Sequence, residues 1–101
     1  MHTLEVEQII GGKRYNTETA TLIAGDDYWD GHNYERRNTN CFLFRSRNGS
    51  YFSQHRSQWQ GADDGALTAH TQDEAIRLYE QLREKRLPFE AAFPGVKVVD
   101  A

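Results

Sequence analysis

The chain has little of several things, and each shortage narrows what it can be. It holds one cysteine, Cys41, among 101 residues, which excludes an internal disulfide and a thiolate metal cluster. No apolar run approaches the length of a membrane span. The opening MHTLEVEQIIGGKR lacks the basic region and apolar stretch of a signal peptide, so the cytoplasm is the expected compartment. Positive charge is not in surplus: the net charge is −3, which argues against a strongly basic nucleic-acid binder. There is no phosphate-binding or dinucleotide glycine pattern, no serine elbow, and no helical pair among His2, His32, His55 and His70. Gly11-Gly12-Lys13 is too short for a phosphate cradle. Paired carboxylates occur only in polar stretches, where their geometry is uncontrolled. The expectation is a protein that is not an enzyme and carries no cofactor or metal.

What is present is a set of 12 aromatic residues in a chain that is 38% hydrophobic and 27% charged. The aromatics supply enough buried area for one compact domain. The strongest local signal lies in Asn40–Arg56, NCFLFRSRNGSYFSQHR. Asn48-Gly49 predicts a two-residue type I′ reversal, because both central positions of that turn need positive φ. In the resulting register Arg45 opposes Phe52 and Phe44 opposes Ser53. One face then carries Phe42, Phe44, Ser46, Tyr51, Ser53 and His55 and is assigned to the core. The other carries Cys41, Leu43, Arg45, Arg47, Ser50, Phe52, Gln54 and Arg56, and its three arginines keep it in water. That wet face has two readings: a solvated sheet surface with arginine stems over apolar side chains, or a contact patch for phosphate, RNA or an acidic protein surface. The arginines are also unevenly spread. Residues 34–59 carry five arginines against one glutamate, a local balance of +4, and the remainder carries −7.

Around the hairpin, Thr3–Ile10 reads as a strand, with Gly11-Gly12 as a two-residue turn into Lys13–Asn16. Thr17–Ala24 fits a strand or a capped helix; its threonines and Ile23 favour the strand. Thr71–Arg86 is the clearest helix. Thr71 and Glu74 make a capping box, acidic residues fill the first turn and Arg83, Lys85 and Arg86 the last, and Ala75, Ile76, Tyr79 and Leu82 form an apolar stripe. Pro88 ends it. Leu67–His70 fits a short strand, Phe89–Phe93 a turn of helix, and Val96–Val99 a last strand or a docked tail. The predicted fold is α+β: a single antiparallel sheet around the hairpin, with the helix across its aromatic face.

Two polar stretches, Gly25–Asn40 and Trp59–Gly65, read as surface loops. Asp26, Asp30 and Gly31 fall at positions one, five and six of a calcium loop, but Tyr28 and Arg37 stand where oxygen ligands belong. A charged, solvated loop is the expectation. Trp29 and Trp59 are either interface anchors or lids on the core edge. Cys41 lies near Arg36 and Arg37, yet no residue is positioned beside it as a base.

Gly12–Ala20, GKRYNTETA, with Ile23-Ala24 after it, and Leu43–Phe52, LFRSRNGSYF, together resemble a family of small uncharacterised phage and bacterial proteins. Those proteins open on G-K-x-Y-D/N-T-E-T-A and carry an L-Y-R-T-K-x-G-x-Y/W-F hairpin; Leu67–Leu82 is a looser likeness. After Phe52 the chain departs from that pattern. The family has no activity to transfer and so implies no site residues. The resemblance implies a mobile-element setting, in which small acidic proteins occlude host machinery such as CRISPR effectors. The expected function is therefore a non-catalytic inhibitor or modulator of a host defence complex, working by protein–protein contact. The contact would use the arginine face (Arg45, Arg47, Arg56, Phe52), with Trp29 and Trp59 as anchors, or the acidic loops (Asp26, Asp27, Asp30, Asp63, Asp64), which could imitate phosphate. The alternative is a small nucleic-acid-binding module with Phe52 and Tyr51 as stacking residues, whose electrostatic steering would be weak.

Overall fold

The computed structural model of the chain describes residues 3–25, 39–57 and 65–101. The fold is α+β. Strands β1 (Glu7–Ile10) and β2 (Lys13–Asn16) form a separate hairpin. Strands β3 (Thr21–Gly25), β4 (Thr39–Arg45), β5 (Tyr51–Ser57), β6 (Leu67–His70) and β7 (Glu84–Lys85) form an antiparallel sheet in the order β6-β5-β4-β3-β7, and helices α1 (Gln72–Gln81) and α2 (Phe89–Ala92) complete the described residues.

The central β4–β5 hairpin is where structure and sequence reading part. Arg45 opposes Tyr51, Phe44 opposes Phe52 and Leu43 opposes Ser53, one residue away from the predicted register. The reversal uses three residues rather than two. Gly49 N–H donates to Ser46 O at 3.0 Å and Ser46 N–H to Ser50 O at 2.7 Å. The Ser46 hydroxyl also accepts from Ser50 N–H at 3.0 Å, and Gly49 takes a φ of +84°. This is a four-residue turn followed by a left-handed glycine, the usual way a three-residue loop keeps its strands twisted together.

A one-residue slip moves one strand's side chains to opposite faces relative to the other. Phe42, Phe44 and Phe52 therefore share a face, with Phe44 and Phe52 stacked at 5.2 Å between centroids. Leu43 and Tyr51 share the other with Ile23. Phe52 and Gln54, predicted to face solvent, are 0% exposed. His55, expected in the core or at its rim, is exposed. No wet face is needed, because both faces of the hairpin are covered. The β1–β2 hairpin covers the phenylalanine face: Tyr15 packs edge-on to Phe52 at 5.2 Å, with Val6, Ile10 and Leu22 around it. The helices cover the other face, not the aromatic one. Ala75, Tyr79 and Leu82 of α1 and its C-cap meet Leu43 and Tyr51 there with Phe93, and the Tyr51 hydroxyl donates to Ala92 O at 3.0 Å.

The Gly11-Gly12 turn is as read, both glycines having positive φ and Ile10 pairing with Lys13. Strand β1 is shorter than Thr3–Ile10: Leu4 and the Val6 amide bond to side chains instead of a neighbouring strand. Gln54 accepts from Leu4 N–H at 2.9 Å and donates to Leu4 O at 3.0 Å and to Gly65 O at 3.3 Å. The Thr17 hydroxyl donates to Leu4 O at 2.8 Å and accepts from Val6 N–H at 2.9 Å. Gly65 is obligatory beside this clamp: its φ is +86°, and a Cβ there would come within 2.9 Å of Leu4 Cδ1. Strand β3 starts at Thr21, so Thr17 belongs to the clamp and not to the strand.

The capping box of α1 is present, with Glu74 N–H to Thr71 Oγ1 at 3.2 Å and Thr71 N–H to Glu74 Oε1 at 2.8 Å. The helix stops at Gln81 and not at Arg86, so Arg83, Lys85 and Arg86 do not form its last turn. Leu82 is already extended, and Glu84–Lys85 pair with Ala24–Gly25 as a sheet edge. A bulge between Leu22 and Ala24 leaves the Ile23 carbonyl for Arg86 and Leu87 N–H at 3.0 and 3.3 Å. Tertiary pairing thus overrides helix propensity at this point. Val96–Val99 is not a strand, and Val99 is 76% exposed.

Replacing Gln54 with Leu keeps the volume but leaves Leu4 N–H and Gly65 O without their buried partner. The expected cost is about 1–3 kcal/mol, read as a lower urea midpoint at unchanged m. The Leu4 and Val6 amides should exchange faster at the same time.

Candidate anion-binding cleft

The hairpin slip has a consequence at the turn. Arg45 ends β4 and Arg47 opens the loop, while the Gly11-Gly12 turn sends Lys13 and Tyr15 along β2 toward the same end of the sheet. Two adjoining hollows result, of about 500 and 310 Å³, with Lys13, Tyr15 and Ser50 in the walls of both. The larger adds Arg14, Arg47, Asn48 and Ser46. The smaller adds Arg45, Tyr51, His70 and Gln72. Among the described residues neither lining contains a carboxylate.

Arg14 is bound to Glu7 at 2.9 Å. Lys13, Arg45 and Arg47 have no ion pair among the described residues. Arg45 is the most telling of them: its Nε is buried and has no hydrogen-bond partner. A buried charged donor left unpaired is costly, and a guanidinium presents its donors as a planar fork suited to a bidentate oxyanion.

His70 is held by Ser53, whose Oγ lies 2.7 Å from its Nε2. Burial pushes the His70 pKa below its ordinary value, against the opposing pull of Glu74. Glu74 is itself held below the usual carboxylate range, first by the Thr71 N–H that it accepts. A hydroxyl beside an imidazole is the beginning of nucleophilic chemistry, but Ser53 is buried and lines neither hollow. Its contact orients the ring.

Of the residues singled out from sequence, Arg45 and Arg47 meet in this cleft. Phe52 does not reach the surface. Arg56 opposes Asn40, toward the end of the hairpin away from the turn, and is half-buried. Asp26, Asp27, Asp30, Trp29, Trp59, Asp63 and Asp64 lie outside the described residues. Lys13 and His70 were not foreseen as site residues. The Gly11-Gly12 turn was the available signal for Lys13, because it fixes where β2 runs; nothing local marks His70. Among the described residues no group of His, Cys, Asp or Glu is arranged to hold a metal, and no helix is long and apolar enough to cross a membrane. No family model, curated protein or solved structure matches the chain.

Because His70 binds its proton less readily folded than unfolded, the unfolded state takes up more protons below about pH 6.5. Stability should therefore be full above that pH and fall as pH drops through the lowered folded value. In urea unfolding at pH 7.5 and 5.5, His70→Gln should show a smaller loss between the two pH values than the parent chain. An equal loss would assign the slope to other groups.

Proposed function

We propose that the chain is a non-catalytic binding protein that docks on an anionic surface of a partner through the cleft at the hairpin turn. The observation that carries this reading is the set of three cations, Lys13, Arg45 and Arg47, which among the described residues have no ion pair and share their walls with no carboxylate. A partner's negative charge would relieve the repulsion among the three. The resemblance of GKRYNTETA and LFRSRNGSYF to small mobile-element proteins supports a host defence complex as the partner and inhibition or modulation as the outcome. That complex can be a protein or a nucleoprotein.

The nucleic-acid-binding alternative loses its stacking platform, because Phe52 is fully buried and Tyr51 is 7% exposed with its hydroxyl tied to Ala92. What remains of it is phosphate contact without base stacking, on a chain of net charge −3.

Affinity capture from host lysate should recover a defence component with the parent chain. The paired Arg47→Glu and Lys13→Glu chain should lose it, while Arg83→Glu, outside the cleft, should retain it. Retention by the cleft variant would contradict the proposal. A complex that survives high salt unchanged would contradict it as well, since rim charges are screened.

A further inference from the structure

The cleft has two lobes, and each has an arginine of its own. Arg47 lines the larger and Arg45 the smaller, with Lys13 in the wall they share. The two arginines line separate lobes, so each offers its own place for an oxyanion. The volumes fall in the range of small-molecule pockets. Hydroxyl and amide groups of Ser46, Asn48, Ser50 and Gln72 stand among the cations, as they do where oxyanions are held by mixed charged and neutral donors.

We propose that the cleft binds a small molecule carrying two phosphate groups, one at Arg45 with His70 beside it, the other at Arg47, and Lys13 between them. The proposal rests on the cleft being the working surface. It adds that a free bisphosphorylated ligand competes with the docked partner for the same three cations. Phosphate suits the site better than carboxylate, because each group offers three peripheral oxygens to cleft-lining groups on β2, β4 and β6, where a carboxylate offers two. A carboxylate would be met as fully by a single arginine fork, leaving Lys13 and His70 idle. Among the described residues the carrier joining the phosphates faces no exposed aromatic ring in either lobe, Tyr15 and Tyr51 both being buried. It is therefore held by its ends and not by stacking, and a sugar serves as well as a nucleoside.

The test is a titration of the ¹⁵N-labelled chain, following the Arg45 Nε–Hε signal. The probes are inorganic phosphate, fructose 1,6-bisphosphate, adenosine 3′,5′-bisphosphate, acetate and a twelve-residue oligothymidylate at matched ionic strength. Both bisphosphates should saturate the signal with one ligand per chain and bind about tenfold or more tightly than inorganic phosphate, the scale of one additional charged hydrogen bond. Lys13→Gln and Arg47→Gln, both at exposed positions, should reduce bisphosphate affinity toward that of inorganic phosphate. Arg45→Lys keeps the charge but removes the fork, and should weaken all phosphates by a similar factor. No movement of the Arg45 signal, equal affinity for phosphate and bisphosphate, or preferential binding of the oligothymidylate would each overturn the proposal, the last in favour of a polymer. The partner reading is judged separately by capture. Capture that depends on Arg47 and Lys13, with no bisphosphate binding, leaves the docking surface standing and removes the ligand. Bisphosphate binding that does not displace a captured partner removes the competition.

Discussion

The register of the β4–β5 hairpin constrains everything else in the fold. Because Ser46 and Ser50 close a three-residue reversal with Gly49 in the left-handed region, Phe44 meets Phe52 and Arg45 meets Tyr51. Three phenylalanines then fall on one side, and Leu43 and Tyr51 on the other. Neither set tolerates water, so the hairpin becomes the middle of a three-layer arrangement. Its fully buried phenylalanines, Phe42 and Phe52, each contribute about 1.5–3 kcal/mol of transfer free energy. A slip would put at least one strand's set on the wrong layer.

Covering two faces makes demands on the rest of the chain. The phenylalanine face receives a strand pair that does not belong to the sheet, so it must be attached by other means. Gln54, at 0% exposure, reaches from β5 to both backbone groups of Leu4, and Thr17 joins Leu4 and Val6 from the far side of the β1–β2 hairpin. A buried amide bonded to Leu4 N–H, Leu4 O and Gly65 O fixes position more sharply than apolar contact does. On the opposite face α1 gives up its last turn so that Glu84–Lys85 can pair with β3, and α2 delivers Phe93 against Tyr51 at 5.0 Å. The same geometry leaves the turn end of the sheet open, and there Lys13, Arg45 and Arg47 collect with no ion pair among the described residues.

Local chemistry made parts of this legible in advance. The Thr71–Glu74 capping box, the Gly11-Gly12 turn and the strand at Leu67–His70 need only neighbouring residues, and they stand where the sequence puts them. The hairpin was legible as an element but not in register. Asn48-Gly49 fits a two-residue turn on propensity, and only Ser46, through its hydroxyl and carbonyl, selects the longer loop. That choice reversed the assignment of Phe52 and Gln54 and sent the helix to the opposite face. It kept Arg45 and Arg47 near the surface by a different route, at the turn end rather than across a wet sheet face. Lys13 and His70 joined them through tertiary placement, which no spacing in the sequence encodes. The end of α1 escaped for the same reason: Arg83–Arg86 has helical propensity, and the competing partner is Ile23, about sixty residues earlier.

The most direct test of the hairpin register is the pattern of Hα–Hα cross-peaks in a nuclear Overhauser spectrum, since opposed residues of the wide pairs bring these protons closest. The structure requires strong peaks between Leu43 and Ser53 and between Arg45 and Tyr51. Peaks between Phe44 and Ser53 and between Ser46 and Tyr51 in their place would contradict it, and with it the two-sided core and the cleft.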